Sequence, residues 1–307
     1  MSLIISGSSQ HYLADLERTQ LQLQKAQSQA SSGLRLQQVS DDPAAVGGIY
    51  QLQAQISLNQ QTQANLTGAQ SELGSADQAL QSTSTALENA LSLASQGANF
   101  NATAQDRANI AEQITTLQQT ILGLSQTTVN GRYIFSGDLD TQPTYQLDPS
   151  QPSGVKQLST PTATRTIVDI NGAPIAVAKT AQDIFDARDN AGAPVAGNVF
   201  VALNSLLTSL RNNDPVGVAN AADLLKSADQ TVNAQLSFYG AAQNRVSDAV
   251  TIAQRFLLQD QADLGQKQDA NLPAAALALT QGEQQQQASL SVEAKVQQTP
   301  DLFNYLA

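Results

Sequence analysis

The chain has 307 residues, a formal net charge of −11, no cysteine, and only 13% charged and 4% aromatic residues. The absence of cysteine excludes disulfides, thiolate nucleophiles and cysteine metal sites. The acidic balance without a basic stripe argues against nucleic-acid binding. Few aromatic residues predict narrow aliphatic cores, and few charges on long helices predict assembly with neighbouring subunits. We see no amino-terminal signal sequence and no apolar run of about 18 residues, so we expect no cleaved signal peptide and no membrane insertion.

Residues 1–33 predict a first helix with a weak heptad seam. The seam consists of Leu13, Leu16, Gln20, Leu23, Gln27 and Ala30. The closing segment 273–298 is also helical in composition, but its apolar residues share no single stripe. Because neither segment can bury a face alone, we expect the two to pair with each other or with neighbouring subunits. We also expect them to be partly disordered in the isolated protein.

Two long segments carry the 3-4 spacing of a coiled-coil seam. Asp42-Pro43 and Asp214-Pro215 predict their starts, because Asp accepts hydrogen bonds from free backbone N–H groups and Pro suits the first helical position. Gly97 and the segment 271–273 are the expected ends. Each helix then runs on the order of 80 Å at about 1.5 Å per residue. The apolar members of the two seams include Leu66, Leu73, Leu80, Leu87, Leu225, Val232, Tyr239 and Val246.

A third helix is predicted from Thr103, with Asp106 placed for a capping box. Its apolar stripe, the expected rod core, consists of Ile110, Ile114, Leu117, Ile121 and Leu124. Prolines then concentrate between residues 131 and 197, which is incompatible with long helices. An Asn171-Gly172 turn between two strand-like runs predicts a β-hairpin. A short helix near residues 199–210 leads back to the rod.

These elements predict a mainly α fold with a β-rich insert, built as an elongated rod of long antiparallel coiled-coil helices with adjacent termini. We expect a terminal helical domain of residues 1–44 and 266–307. The helical rod domain is expected over residues 45–130 and 198–265, and the β-rich insert domain over residues 131–197.

The last residues form an apolar cluster after Pro300. Its members are Leu302, Phe303, Tyr305 and Leu306. Because no neighbouring segment can cover them, we expect them to be buried only in a complex.

The sequence offers no set of residues for catalysis. His11 is the only histidine. A multi-histidine metal site is therefore excluded, and a His-based catalytic triad could use only this residue. Asp41 and Asp42 could bind a metal ion, but helix capping explains Asp42 directly. We therefore expect no enzymatic activity, no cofactor and no metal.

Two motifs at opposite ends of the chain resemble those of the bacterial flagellin family. Ser32-Gly33-Leu34-Arg35 followed by Asp41-Asp42-Pro43-Ala44 resembles the amino-terminal motif of that family. Gly240 to Val246, with Gln243, Asn244 and Arg245, is similar to its Gly-Ala-Gln-Asn-Arg-Leu element, with one extra Ala and Val in place of Leu. The resemblance covers the helical parts of the chain and leaves out the insert.

Within the family, residues 130–137 (Asn-Gly-Arg-Tyr-Ile-Phe-Ser-Gly) and the ending 294–306 resemble the branch that joins the flagellar hook to the filament. The resemblance implies a flagellin-like rod and a structural role in an adaptor ring at this junction. The implied partners are the first hook-associated protein, flagellin, copies of the chain itself and an export chaperone. The terminal helices would assemble around the export channel. The implied location is the secreted flagellum, reached by type III export without a cleaved signal.

Three alternatives differ from this interpretation. A filament flagellin has the same fold but is present in thousands of copies. An enzyme on a helical scaffold would need a nucleophile, a base and an orienting group, which the sequence lacks. A host-directed type III translocator would not be expected to carry both flagellin-type motifs.

Overall fold

The computed structural model describes residues 7–38, 40–189 and 191–298. Its helices are α1 Gly7–Ser32, α2 Pro43–Gly97, α3 Ala104–Ser125, α4 Ala181–Phe185, α5 Val199–Arg211, α6 Pro215–Gln268 and α7 Leu272–Gln298. Its strands are β1 Thr128–Val129, β2 Arg132–Tyr133, β3 Tyr145–Leu147, β4 Val155–Gln157, β5 Thr166–Val168 and β6 Pro174–Ala176. The predicted mainly α fold with a β-rich insert is confirmed.

The chain divides into two compact units. The central unit is Asn59–Phe256, and the terminal unit contains the described residues up to Leu58 and from Leu257 onward. The three domains expected from the sequence divide the chain at other positions, and those boundaries stay a prediction.

The predicted starts of the long helices and of α3 are confirmed. An oxygen of Asp42 accepts a hydrogen bond from the backbone N–H of Ala45 at 3.2 Å, and Asp214 accepts one from the N–H two residues later at 3.1 Å. Thr103 and Asp106 form a reciprocal capping box at the start of α3. These starts depend on residues within one turn, so local sequence determines them.

In the central unit, α2 and α6 each bury a stripe in which large and small side chains alternate. On α2 the stripe is Leu66, Ala69, Leu73, Ala76, Leu80, Thr83, Leu87, Ala90 and Ala94. On α6 it includes Val218, Ala221, Leu225, Ala228, Val232, Tyr239, Ala242, Val246 and Ala249. The large members agree with the predicted seams. The small members, such as Ala76 and Ala228, lie outside the seams that the sequence predicted.

Two polar contacts join α2 to α6 beside these stripes. The Ser84 hydroxyl donates to Asp229 Oδ1 at 2.7 Å, and the Gln243 amide donates to the backbone carbonyl of Leu73 at 3.2 Å. The α2 residue with the higher number, Ser84, contacts the α6 residue with the lower number, Asp229. The two helices are therefore antiparallel in this unit. A slip by one turn would break both bonds, so they favour a single register.

Helix α3 packs beside α5 in the central unit. Ile110, Ile114 and Ile121 are buried in its core, whereas Leu117 and Leu124 are partly buried and pack against that core. The deepest positions of the expected rod core are therefore Ile114 and Ile121, which expose none of their surface.

The six strands from β1 to β6 form three separate two-stranded antiparallel ladders, and among the described residues these ladders do not join into one sheet. The predicted hairpin is confirmed by the pairing of β5 with β6 around Asn171-Gly172, in which Ile167 faces Ile175. Ile175 is buried and Val168 is 57% exposed, so only part of this hairpin faces the core.

Aromatic side chains fill the core where the insert meets the helices. The ring of Phe135 lies 5.7 Å from that of Phe185 and 6.3 Å from that of Tyr239, and Tyr145 lies 5.2 Å from Phe200. The expectation of a narrow aliphatic core does not hold here, because rings that are far apart in sequence pack together at one place. Edge-to-face pairs of this kind add to the stability gained from burial.

Asp186 is a fully buried carboxylate that connects three segments of the central unit. It accepts hydrogen bonds from the Tyr145 hydroxyl at 3.1 Å, the Arg188 guanidinium at 2.9 Å and the Asn198 amide at 2.6 Å. Burial, and then the Asp186 charge, raise the pKa of Tyr145. The phenol therefore stays protonated and remains a donor.

We predict that Ile114→Asp lowers the free energy of unfolding by more than about 3 kcal/mol, because it buries an unpaired charge. Val168→Asp is the matched control and should change stability by less than about 0.5 kcal/mol, since that side chain faces solvent. Chemical denaturation followed by circular dichroism measures both variants. Equal effects of the two substitutions would contradict the assigned core.

Candidate assembly site

Two connectors meet in the terminal unit. The amino-terminal connector, residues 33–42, links α1 to α2, and the carboxy-terminal connector, residues 269–271, links α6 to α7. Leu34 and Asp269 form an isolated antiparallel β-bridge. Its backbone bonds run from the Arg35 N–H to the Gln268 carbonyl (2.7 Å) and from the Ala270 N–H to the Gly33 carbonyl (2.8 Å). The Gly-Leu-Arg part of the motif therefore holds the two connectors together.

The Arg35 side chain reinforces this bridge. Its guanidinium donates to the backbone carbonyl of Lys267 at 2.8 Å, at the end of α6. Its other terminal nitrogen lies 3.6 Å from the Asp42 carboxylate, and the two side chains are 45% and 35% exposed. An ion pair this exposed contributes little stability. The bond to the helix end therefore matters more, because it satisfies one of the free carbonyls there.

Asp41 shapes the amino-terminal connector through its carboxylate. One oxygen accepts hydrogen bonds from the backbone N–H groups of Gln37 and Gln38, each at 2.9 Å. The bonds from Gln38 and Gln37 lower the pKa of Asp41 below its usual value. In the motif, Asp41 therefore folds the connector, Asp42 caps α2 and Pro43 begins it.

Gly33 ends α1 in the left-handed region, with φ of 72°. Its N–H donates to the Gln29 carbonyl at 2.9 Å, which is the usual bond of a helix end with glycine. A side chain at this position would meet no atom within 4 Å. The requirement for glycine is therefore conformational and not steric.

The terminal helices α1 and α7 pack against each other through small residues. Ala26 and Ala275 are buried, and Leu23 lies against Gly282, where an added Cβ would be 3.2 Å away. Leu16 is partly buried on the same side of α1 as Leu23. The larger apolar side chains of both helices are exposed to solvent, namely Leu13, Leu21, Leu277, Leu290 and Val292. The helix pair thus leaves most of its large apolar surface uncovered.

The other predicted site residues lie elsewhere. Gln243 contacts α2, the guanidinium of Arg245 lies 3.5 Å from the Pro174 carbonyl in β6, and Asn244 is exposed. These three belong to the central unit, whereas the amino-terminal motif belongs to the terminal unit. The predicted cluster of Leu302, Phe303 and Leu306 lies outside the described residues.

Residues 130–137 have local structural roles. Asn130 and Gly131, with φ of 52° and 76°, form the turn between β1 and β2. Phe135 is buried in the aromatic cluster. Gly137 also has positive φ, and an added Cβ would lie 2.5 Å from the Ala163 carbonyl, so only glycine fits.

Sequence reasoning missed the residues that complete the connector bridge. Lys267 and Gln268 contribute only backbone carbonyls, and Ala270 contributes a backbone N–H. Backbone groups leave no side-chain pattern to recognise. The predicted helix end near Asn271 was the only signal in that region.

Two further findings bear on function. In the part of the chain that the structure describes, no three His, Asp or Glu side chains are grouped so that they could hold a metal ion. None of the helices described has the length and apolar character needed to span a bilayer.

We predict that Gly33→Ala destabilises the protein by about 1–2 kcal/mol, because an L-residue is strained at positive φ. Gly47→Ala is the matched control in the first turns of α2, where a side chain also meets open space. It should stabilise by about 0.5–1 kcal/mol through helix propensity. Thermal unfolding of both variants tests this, and a shift of the same sign in both would contradict it.

We predict that the Asp41 connector loosens in acid. The pKa of Asp41 is lowered in the folded protein, so its carboxylate stabilises the folded connector fully above the ordinary Asp pKa of 3.8. This stabilisation is lost as the pH falls below that value. Amide exchange of Gln37 and Gln38 should therefore speed up between about pH 4 and pH 2, relative to intrinsic rates. In Asp41→Asn this pH-dependent step should disappear, and its persistence there would contradict the assignment.

Comparison with known proteins shows which proteins the chain is similar to. Residues 6–140 match the family described as the bacterial flagellin N-terminal helical region. The chain is 30% identical over 212 residues to flagellar hook-associated protein 3 of Escherichia coli, an alignment that covers 66% of this chain and 64% of that protein. The chain thus spans somewhat less than two thirds of that relative's length.

Solved structures share the fold. One is a hook-associated protein 3 from Legionella pneumophila, with a TM-score of 0.59 and 15% identity, covering 72% of this chain and 98% of that one. Another is FlgL from Bacillus cereus, with a TM-score of 0.51 and 15% identity, covering 66% and 98%. Residues 6–140 are therefore similar to the amino-terminal region of bacterial flagellins, and the chain shares the fold of a solved hook-associated protein 3.

Proposed function

We propose that this chain is a structural component of the bacterial flagellum and forms an adaptor ring at the junction between hook and filament. The observation that carries the proposal is the similarity in sequence to hook-associated protein 3. Residues 130–137 support it, because this segment resembles the junction branch and its Phe135 packs against Tyr239 of α6.

The terminal helix pair supports an assembly role. Its interface uses small side chains, whereas Leu21 and Leu277 face solvent. Large apolar side chains that remain exposed on both helices are what a surface covered by other subunits would offer. We therefore propose that the terminal helices contact other subunits around the export channel, and that Leu302, Phe303 and Leu306 take part in this assembly or in chaperone binding before export.

The proposed partners are the first hook-associated protein on the hook side, flagellin on the filament side, and copies of the chain within the ring. We further propose export without a cleaved signal peptide and no enzymatic activity.

Deletion of the gene tests the proposal. We expect hooks without filaments and unpolymerised flagellin in the culture medium, and the intact gene should restore filaments. If the chain were instead a filament flagellin, it would be the most abundant protein of purified flagella. Filaments of normal length in the deletion strain would contradict the junction role.

Complementation with surface variants tests which face is used. Leu21→Gln and Leu277→Gln alter exposed residues of the terminal helices, and Leu158→Gln alters a 45% exposed residue of the insert as a matched control. All three purified variants should keep their melting temperature. We expect the first two to restore filaments poorly and the control to restore them fully.

A further inference from the structure

The sequence contains two Asn-Gly pairs, Asn130-Gly131 and Asn171-Gly172. Both pairs are exposed in the turns of β-hairpins, the first between β1 and β2 and the second between β5 and β6. Such pairs are prone to spontaneous deamidation, because glycine has no Cβ to hinder its backbone nitrogen from attacking the preceding side chain. In an unfolded chain the two pairs should react alike, since a β-branched residue, Val129 or Ile170, precedes each.

Deamidation needs only the chain and water. The glycine backbone nitrogen bonds to the side-chain carbonyl carbon of asparagine, the bond from that carbon to the amide nitrogen breaks, and ammonia leaves with the proton that the glycine nitrogen loses. Water then opens the succinimide ring at either carbonyl, which gives aspartate or isoaspartate without any change of oxidation state. The glycine N–H must therefore be free to lose its proton, and the asparagine backbone must be free to rotate until the reacting atoms meet.

The turn around Asn171 is locked by Asp169. The Gly172 N–H donates to the Asp169 carbonyl at 3.0 Å, and the Asp169 N–H donates to the Ala173 carbonyl at 3.0 Å. The carboxylate oxygen Oδ1 of Asp169 accepts hydrogen bonds from the N–H groups of Asn171 and Ala173, each at 2.8 Å. The attacking nitrogen is thus already bonded, and rotation at Asn171 would break bonds on both sides of it.

The same locked turn occurs again after Arg188, where Asp-x-x-Gly-Ala-Pro is repeated. The Gly192 N–H donates to the Asp189 carbonyl at 3.0 Å. The N–H groups of Ala191 and Ala193 donate to Asp189 Oδ1 at 2.9 Å and 2.8 Å. Because the two turns share this local motif, the aspartate that begins each turn accounts for the lock.

The turn around Asn130 has no such lock. Strands β1 and β2 are joined by only two residue pairs, and Val129 occupies the place before the Asn-Gly pair. Within the described part of the chain, neither the Gly131 N–H nor the Asn130 side chain has a hydrogen-bond partner. Asn130 also has φ of 52°, a left-handed conformation that is unfavourable for an L-residue, so rotation away from it is eased.

We propose that Asn130 is a site of spontaneous deamidation in the folded protein, and that Asp169 protects Asn171 from the same reaction. The new carboxylate adds a negative charge to the segment 130–137. Isoaspartate also adds a carbon atom to the backbone of the turn, and turn length sets the register of a hairpin. The reaction involves only this chain and water, so it is independent of the proposed function.

Peptide mapping by mass spectrometry tests the proposal. The purified full-length protein is incubated in mildly alkaline buffer and digested in acid, where deamidation is slow, and the fraction of aspartate and isoaspartate at each position is followed with time. In the folded protein, Asn130 should deamidate at least about fivefold faster than Asn171, which is the factor expected for one hydrogen bond. In urea the two rates should be nearly equal, because the turns are then lost.

Asp169→Ala tests the protecting role directly. It should raise the rate at Asn171 at least about threefold, because the carboxylate bonds to the turn are lost. The rate at Asn130 in the same sample should stay unchanged, which excludes general unfolding as the cause. Asp189→Ala is the matched control, since it removes the same bonds from the other locked turn and should change neither rate.

Three results would overturn the proposal. The first is a rate at Asn171 that equals or exceeds the rate at Asn130 in the folded protein. The second is a folded protein in which Asn130 stays intact while the sample in urea reacts. The third is an Asp169→Ala variant in which Asn171 reacts no faster than in the natural chain.

Discussion

The core of the central unit depends on small side chains that alternate with large ones along the buried stripes of α2 and α6. Alanines at positions 69, 76 and 90 of α2 and at 221, 228 and 242 of α6 leave room for the leucines and valines between them. Helices α3 and α5 and the aromatic cluster of the insert contribute buried residues to the same core.

In the terminal helices, small residues form the contact while the large apolar residues stay exposed. In α1 and α7 the small side chains again form the contact, but large apolar side chains such as Leu21 and Leu277 face outward. Nothing within the described residues covers them. The central unit buries its large apolar residues to fold, whereas the terminal helices hold theirs available, which is the arrangement expected of a subunit completed by its neighbours.

Local chemistry made much of the fold predictable. Asp42-Pro43, Asp214-Pro215 and the Thr103–Asp106 box begin helices through contacts within one turn, and Asn171-Gly172 requires only its own backbone preferences. The large members of the seams were predictable because a buried leucine has few alternatives. The alanines were not, because alanine is tolerated on any helix face and only packing decides which face is inside.

The backbone bridge between the two connectors could not be predicted from the sequence. Gly33, Arg35, Asp41 and Asp42 were singled out by resemblance, but their partner is the backbone at the end of α6, more than two hundred residues away. A contact between backbone groups imposes no residue type on that segment. The aromatic cluster was equally unpredictable, since nothing in the sequence indicates that Phe135, Phe185 and Tyr239 lie close together.

We propose that this chain occupies the boundary between hook and filament as an assembled ring. Electron cryomicroscopy of isolated hook–filament junctions can locate it there. We expect density for this fold, including its insert, in one short layer between hook and filament. If the fold instead appeared along the length of the filament, or were missing from the junction, the proposed position would be wrong.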